Sequence, residues 1–134
     1  MKAEKVKRGS GAARKAPAPP PTPAQEALEV GQREVANNFR FVIIAMAQHA
    51  LGRPAESKQA LDSLVRLASS SLAYQIAEVH AWRGEKNQAI DWLERAYQQH
   101  DGGMTYVAYD RYLDSLRGDA RFRALLSRLK LPTG

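Results

Sequence analysis

Residues 44–64 of this chain are echoed 32 residues further on. Ile44 and Ala45 stand ahead of Gly52 as Ile76 and Ala77 stand ahead of Gly84. Ser57 answers to Ala89, Leu61 to Leu93 and Leu64 to Ala96. A period in this range marks an array of stacked helical hairpins, in which each unit buries its apolar face against the next. Such arrays contact only their neighbours and present extended surfaces to other macromolecules. The repeat therefore predicts an all-α fold of antiparallel helical hairpins, stacked as a short solenoid.

The spacing of apolar residues predicts the elements. Ala24–Ala36 reads as a weakly amphipathic helix with Ala27, Leu28, Val30 and Val35, and Asn37-Asn38 as its break or cap. Phe39–Leu51 is unusually apolar and is expected to be buried on most sides. Gly52 suits a left-handed helix end and Pro54 the first turn of the next helix. That helix, Pro54–Ala68, places Ala60, Leu61, Leu64, Val65 and Ala68 on one face. Leu72–Arg83 follows and ends at Gly84, then Asn87–Gln99, with Asp101-Gly102-Gly103 as a stop. A short turn at Met104–Ala108, a stretch around Tyr109, Tyr112, Leu113 and Leu116, and a final helix capped by Asp119 complete the chain, with Pro132 closing it. No run of alternating β-branched residues predicts a strand.

Charge is unevenly placed. The formal net charge is +6 over 134 residues. Residues 1–25 hold Lys2, Lys5, Lys7, Arg8, Arg14 and Lys15 against Glu4, so +5 of it sits in the tail. Residues 1–23 have one Val, one Met and no larger apolar side chain, and are expected to be a disordered basic Pro/Ala-rich tail. Its run Ala16–Pro23 favours extended polyproline conformations. The basic cluster is not followed by an apolar stretch, and the longest apolar run, Phe41–Ala47, is far below the ~18 residues of a span. A cytoplasmic location without membrane span is the expectation. Cysteine is absent, which removes disulfides, thiolate zinc sites and cysteine nucleophiles together.

The segment Ala73–Tyr97, AYQIAEVHAWRGEKNQAIDWLERAY, resembles a tetratricopeptide repeat. That repeat has about 34 residues in two antiparallel helices. Its small packing positions match Ala77, Ala89 and Ala96, its turn glycine matches Gly84, and its large apolar positions match Ile76 and Leu93. Residues 38–69 form a less regular first unit, in which Ile44, Ala45, Gly52 and Leu61 agree while Ser57 and Leu64 depart; 70–101 form the second. Residues 104–132, and Asp110–Pro132 in particular, are similar to the closing segment of bacterial tetratricopeptide regulators, where such a region often follows an effector domain. The resemblance implies that Ala24–Ala36 and Asp119–Leu129 cap the stack. It also implies that Ile44, Ile76, Leu61 and Leu93 fill the gaps between hairpins.

The same resemblance places a concave groove on the first helix of each unit. Its positions here are Phe39, Val42, Met46, His49 and Ala50, then Ser71, Tyr74, Glu78, Ala81 and Trp82. This apolar and aromatic surface suits a peptide or helix held by hydrophobic contacts. Cover by the first helix, or self-association of the chain, are the other occupants open to it. Where some relatives hold a C-terminal carboxylate with basic side chains, this chain has Val42, Met46 and Tyr74, so no such clamp is expected.

Candidates for chemistry are sparse. His49, His80 and His100 have no metal-ligand spacing, and His80 reads as a packing residue. Glu78, Glu85, Asp91 and Glu94 are scattered over helix surfaces, with Arg95 as a nearby partner. No phosphate loop, nucleophile elbow or zinc motif is present. A non-enzymatic adaptor or regulatory scaffold without cofactor or metal is the expectation, with a protein or peptide as partner. The alternatives are a polyanion such as nucleic acid, bound through the tail lysines and arginines, and a self-associating regulator fragment. The later run Arg111, Arg117, Arg121, Arg123, Arg128 and Lys130, partly neutralised by Asp110, Asp114 and Asp119, reads as a solvated face.

Overall fold

The computed structural model describes residues 17–131. The expectations for Lys2, Lys5, Lys7, Arg8, Arg14, Lys15 and Pro132 lie outside the described residues. The described chain is all-α: α1 (Pro23–Ala50), α2 (Pro54–Ala68), α3 (Ala73–Trp82), α4 (Lys86–Gln98), two 3₁₀ helices (Gly102–Tyr106 and Arg111–Leu116) and α5 (Ala120–Arg128). The chain divides at Val30/Gly31 into two compact units.

In the first unit the helix start is fixed by a reciprocal pair. The backbone N–H of Thr22 donates to Gln25 Oε1 at 2.8 Å, and the N–H of Gln25 donates to Thr22 Oγ1 at 3.2 Å. This is a capping box, with Pro23 in the first helical position where its missing N–H costs nothing.

The expected break at Asn37-Asn38 does not occur; α1 runs through it. Asparagine in a helix interior costs only a few tenths of a kcal/mol more than its neighbours, and no Gly or Pro is there to stop the helix.

The second unit, residues 31–134, holds the repeat. α1 joins α2, and α3 joins α4, through short turns around Gly52 and Gly84. Both glycines have positive φ, 75° and 83°. At each, the glycine N–H donates three residues back (Gly52 to His49 O, Gly84 to Ala81 O), and the next N–H closes the wider ring (Arg53 to Gln48 O, Glu85 to His80 O). These are Schellman endings. The same pairs of bonds end α4 and α5, with His100 (φ 56°) and Lys130 (φ 58°) in the left-handed position. So α4 is stopped at His100, ahead of the expected Asp101-Gly102-Gly103.

α3 is buried on two sides, which explains its nearly continuous apolar sequence. Leu72, Ile76 and Val79 pack with Val42, Ala45, Ala60, Leu61, Leu64 and Ala68 from α1 and α2. Ala73, Tyr74, Ala77 and Ala81 pack with Ala89, Ile90, Leu93 and Ala96 of α4, and with Leu113, Leu116, Phe122 and Leu125 beyond it. The small positions expected to allow close helix approach, Ala45, Ala77, Ala89 and Ala96, are all fully buried. Ser57 is buried too, and its Oγ donates to the backbone oxygen of Ala45 at 2.7 Å.

The apolar stretch of α1 is less buried than expected. Only Val42 and Ala45 are buried, while Ile43 is 62% and Ile44 40% exposed. Helices α2 and α3 meet α1 along one stripe, and side chains off that stripe stay on the surface. Ile44 therefore does not fill a gap between hairpins, whereas Leu61, Ile76 and Leu93 are buried.

After α4 the helices shorten. Three aspartates start them in turn: Asp101 accepts from the Gly103 N–H at 2.8 Å, Asp110 from Tyr112 at 2.9 Å and Asp119, as expected, from Arg121 at 2.8 Å. The arginines of this region are not a purely solvated face. Arg117 donates to the backbone oxygens of Ala108 and Asp110 at 2.9 and 3.0 Å. Arg121 pairs with Asp91 at 2.7 Å and Arg128 with Glu94, joining α5 to α4. The expected local partnership of Arg95 is replaced as well: its guanidinium lies 4.7 Å from the Trp92 ring centre.

Candidate functional site

A cavity of about 620 Å³ opens between α1, α3 and the 3₁₀ segment. Five of the expected groove residues line it: Phe39, Val42 and Met46 from α1, and Tyr74 and Glu78 from α3. They converge because α1 and α3 are the first helices of successive hairpins and present corresponding faces to the same side. Val42 and Tyr74 are buried, Met46 and Glu78 half-buried, and Phe39 exposed.

The other positions fall elsewhere. Trp82 stands outside the lining residues; its Nε1 donates to the backbone oxygen of Met46 at 3.0 Å and its ring meets Tyr112 edge-on at 5.7 Å. It links α1, α3 and the second 3₁₀ helix rather than offering a free anchor. His49 is half-buried, with Nδ1 enclosed and without a hydrogen-bond partner. Ala81 belongs to the core, while Ala50 and Ser71 are exposed away from the cavity.

The facing wall was not read from the sequence. It comes from residues 103–112 and includes Tyr106, Tyr109 and Tyr112, with Asp110 among them. Tyr106 is 68% and Tyr109 72% exposed. The three-residue spacing of these tyrosines is the one signal for it; Tyr106 ends the first 3₁₀ helix, Tyr109 lies in the turn after it and Tyr112 in the second 3₁₀ helix. Ile43 of α1 also lines the cavity, beside the expected Val42.

Two carboxyl groups, Glu78 and Asp110, line the cavity, and no Lys or Arg is among the lining residues. Tyr74 ties Asp110 to the core. Its hydroxyl donates to Asp110 Oδ2 at 2.7 Å, and its backbone N–H donates to Asp101 Oδ2 at 3.2 Å. Burial, then the bond to Asp110, raises the phenol well above its ordinary range. Burial, reinforced by the neighbouring Asp110 and then Asp101, pushes Glu78 up to about 9. Glu78 therefore carries a proton at neutral pH.

On the opposite side, His80 Nδ1 lies 2.9 Å from Glu85 Oε1, and Arg83 Nε donates to the same oxygen at 3.0 Å. Burial lowers the His80 pKa against the pull of Glu85. The arrangement ties the end of α3 to the start of α4. Among the described residues no three His, Asp or Glu side chains gather as a metal site. No described helix is long and apolar enough to cross a membrane. Comparison of the chain with models of protein families, with curated proteins and with solved structures finds no match.

Proposed function

We propose that this chain is a short tetratricopeptide-like interaction module, an adaptor or regulatory scaffold, that holds a peptide or helix of another protein in the groove between α1, α3 and the 3₁₀ segment. The observation that carries the reading is the cavity itself: about 620 Å³, with Phe39, Ile43 and Met46 on one wall and Tyr106, Tyr109 and Tyr112 on the other. Exposed aromatic and large apolar side chains in a concave site are the residue types that carry binding energy once desolvated. The 32-residue repeat supports the same reading, because hairpin arrays present such grooves.

The adjacent residues Ile43 and Ile44 provide the test. Both are exposed, yet Ile43 lines this groove and Ile44 lines a smaller cleft of about 290 Å³ between α1 and α2. A photo-crosslinking amino acid placed at each position in host cells should trap a protein through position 43 and not through position 44. Equal trapping at both, or trapping at 44 alone, contradicts groove binding.

A further inference from the structure

We propose that the peptide in this groove inserts one cationic side chain, Lys or Arg, between the tyrosines Tyr106, Tyr109 and Tyr112 and the carboxyl groups of Glu78 and Asp110. The inference rests on the groove-binding reading and adds the chemistry of the partner.

Charge complementarity selects the cation. Two carboxyl groups line the groove, and no Lys or Arg is among the lining residues to pair with them. A groove made only for an apolar ridge gains nothing from carboxyl groups in its floor, because covering them without partners costs free energy. Asp110 has structural work, accepting from Tyr74 and from the Tyr112 N–H. Glu78 stands in the middle of α3, where no helix end needs capping. An acidic or phosphorylated segment, or a free C-terminal carboxylate, would find no basic partner in this lining.

The tyrosines supply the second half of the site. An aromatic face carries negative charge density, and a cation held over it within about 6 Å of the ring centre is attracted. Tyr106 and Tyr109 are largely exposed within the wall, so their faces are accessible. The aliphatic stem of a Lys or Arg would lie along Ile43 and Met46 while its head reaches the carboxyls.

The groups facing Glu78 are Asp110 from the 3₁₀ segment, Asp101 ahead of it and Tyr74 on α3 itself, and α1 contributes only Phe39, Val42, Ile43 and Met46 to the wall. Arg117 lies near Tyr74 but is held by the backbone oxygens of Ala108 and Asp110. A cation entering this acidic surround ionises Glu78, so the peptide binds as a proton leaves.

The full-length chain would be used to select from a displayed library of random dodecapeptides, and the best peptide then measured by fluorescence anisotropy. The expected winners carry one Lys or Arg flanked by apolar residues. Replacing that residue by norleucine should weaken binding about tenfold, the loss of one well-desolvated cation–π and charge contact. Tyr109→Leu should weaken the cationic peptide several-fold more than the norleucine peptide, while Tyr109→Phe should keep both. Calorimetry in buffers of different ionisation heat should show a proton released on binding at neutral pH, and none with Glu78→Gln. Winners without a cation, or indifference to norleucine, overturn the cationic site and leave groove binding standing. Winners unaffected by Ile43→Asp, or no enrichment at all, overturn both.

Discussion

The hydroxyl of Tyr74 donates to Oδ2 of Asp110 across 36 residues of sequence, at 2.7 Å. Through this bond the most buried helix holds the segment that carries the tyrosine wall. Asp110 in turn starts the second 3₁₀ helix through the Tyr112 N–H. Tyr74→Phe keeps the ring in the core and removes only the donor. A hydrogen bond to a charged acceptor contributes about 1.5–3 kcal/mol, and partial solvent access places this one at the low end. Urea denaturation should show a loss of roughly 1.5 kcal/mol. An unchanged midpoint would mean that the bond contributes nothing to the fold.

The ring of the same tyrosine lies against a glycine. A Cβ at Gly103 would fall 2.5 Å from Tyr74 Cγ. Neither atom can yield easily, because Tyr74 is enclosed by the core and Gly103 sits in the first turn of the first 3₁₀ helix, its N–H held by Asp101. Gly103→Ala should cost about 1–3 kcal/mol by overpacking. In combination with Tyr74→Leu the added cost should shrink, since the two changes share one contact. Strict additivity would place the strain elsewhere.

Four helix ends share one backbone geometry and use different residues for it. Gly52 and Gly84 suit the left-handed position, whereas His100 and Lys130 hold it with a Cβ that crowds the following carbonyl. His100→Gly and Lys130→Gly should each stabilise the fold by about 1 kcal/mol, while Gly84→Ala should destabilise it by a similar amount. Nothing lies within 4 Å of a Cβ at Gly84, so its cost is one of backbone conformation alone. A thermal midpoint for His100→Gly at or below that of the parent would contradict this account.

These ends also show what the residues made legible. Gly52 and Gly84 announce the turns because glycine is the residue that needs no compensation there, and Pro54–Ala68 was bounded correctly by a proline and a clean apolar stripe. His100 carries no such signal, because it holds the left-handed position with a Cβ, which that conformation disfavours. Asn37-Asn38 misled because a capping residue inside a long helix has a small penalty that neighbours absorb. The α1 and α3 walls of the groove followed from the repeat, since equivalent positions fall on equivalent faces. The tyrosine wall did not, because residues 102–116 leave the repeat and fold as 3₁₀ turns whose placement depends on Asp101, Asp110 and Arg117.

Ser57 departs from the alanine pattern of the repeat, and its hydroxyl has a fixed partner. The Oγ–Ala45 bond pins the start of α2 to α1 inside the apolar cluster. Ser57→Ala should cost about 1 kcal/mol, the net worth of a neutral buried hydrogen bond. Ser57→Val should cost more, because it both loses the bond and adds volume where no space exists. Equal stability of the alanine variant would make the serine a mere spacer.

The acidic floor should be visible in the pH dependence of stability. In the unfolded chain Glu78 titrates near its ordinary 4.5, and in the folded chain burial and Asp110 hold it up to about 9. Between these values the folded state keeps a proton that the unfolded state has lost. Stability contributed by this group is therefore full below about 4.5 and is lost as pH rises through about 9. Glu78→Gln has the shape of the protonated acid and no proton to lose. The variant should match the parent in urea near the lower value, gain on it steadily as pH rises, and keep a constant lead above the upper one. Asp110 is one of the neighbours that raise Glu78, so Asp110→Asn should lower the Glu78 pKa and narrow the window from its upper end. Parallel stability profiles for Glu78→Gln and the parent would mean that Glu78 is ionised throughout, and that the floor of the groove is already charged before any cation arrives.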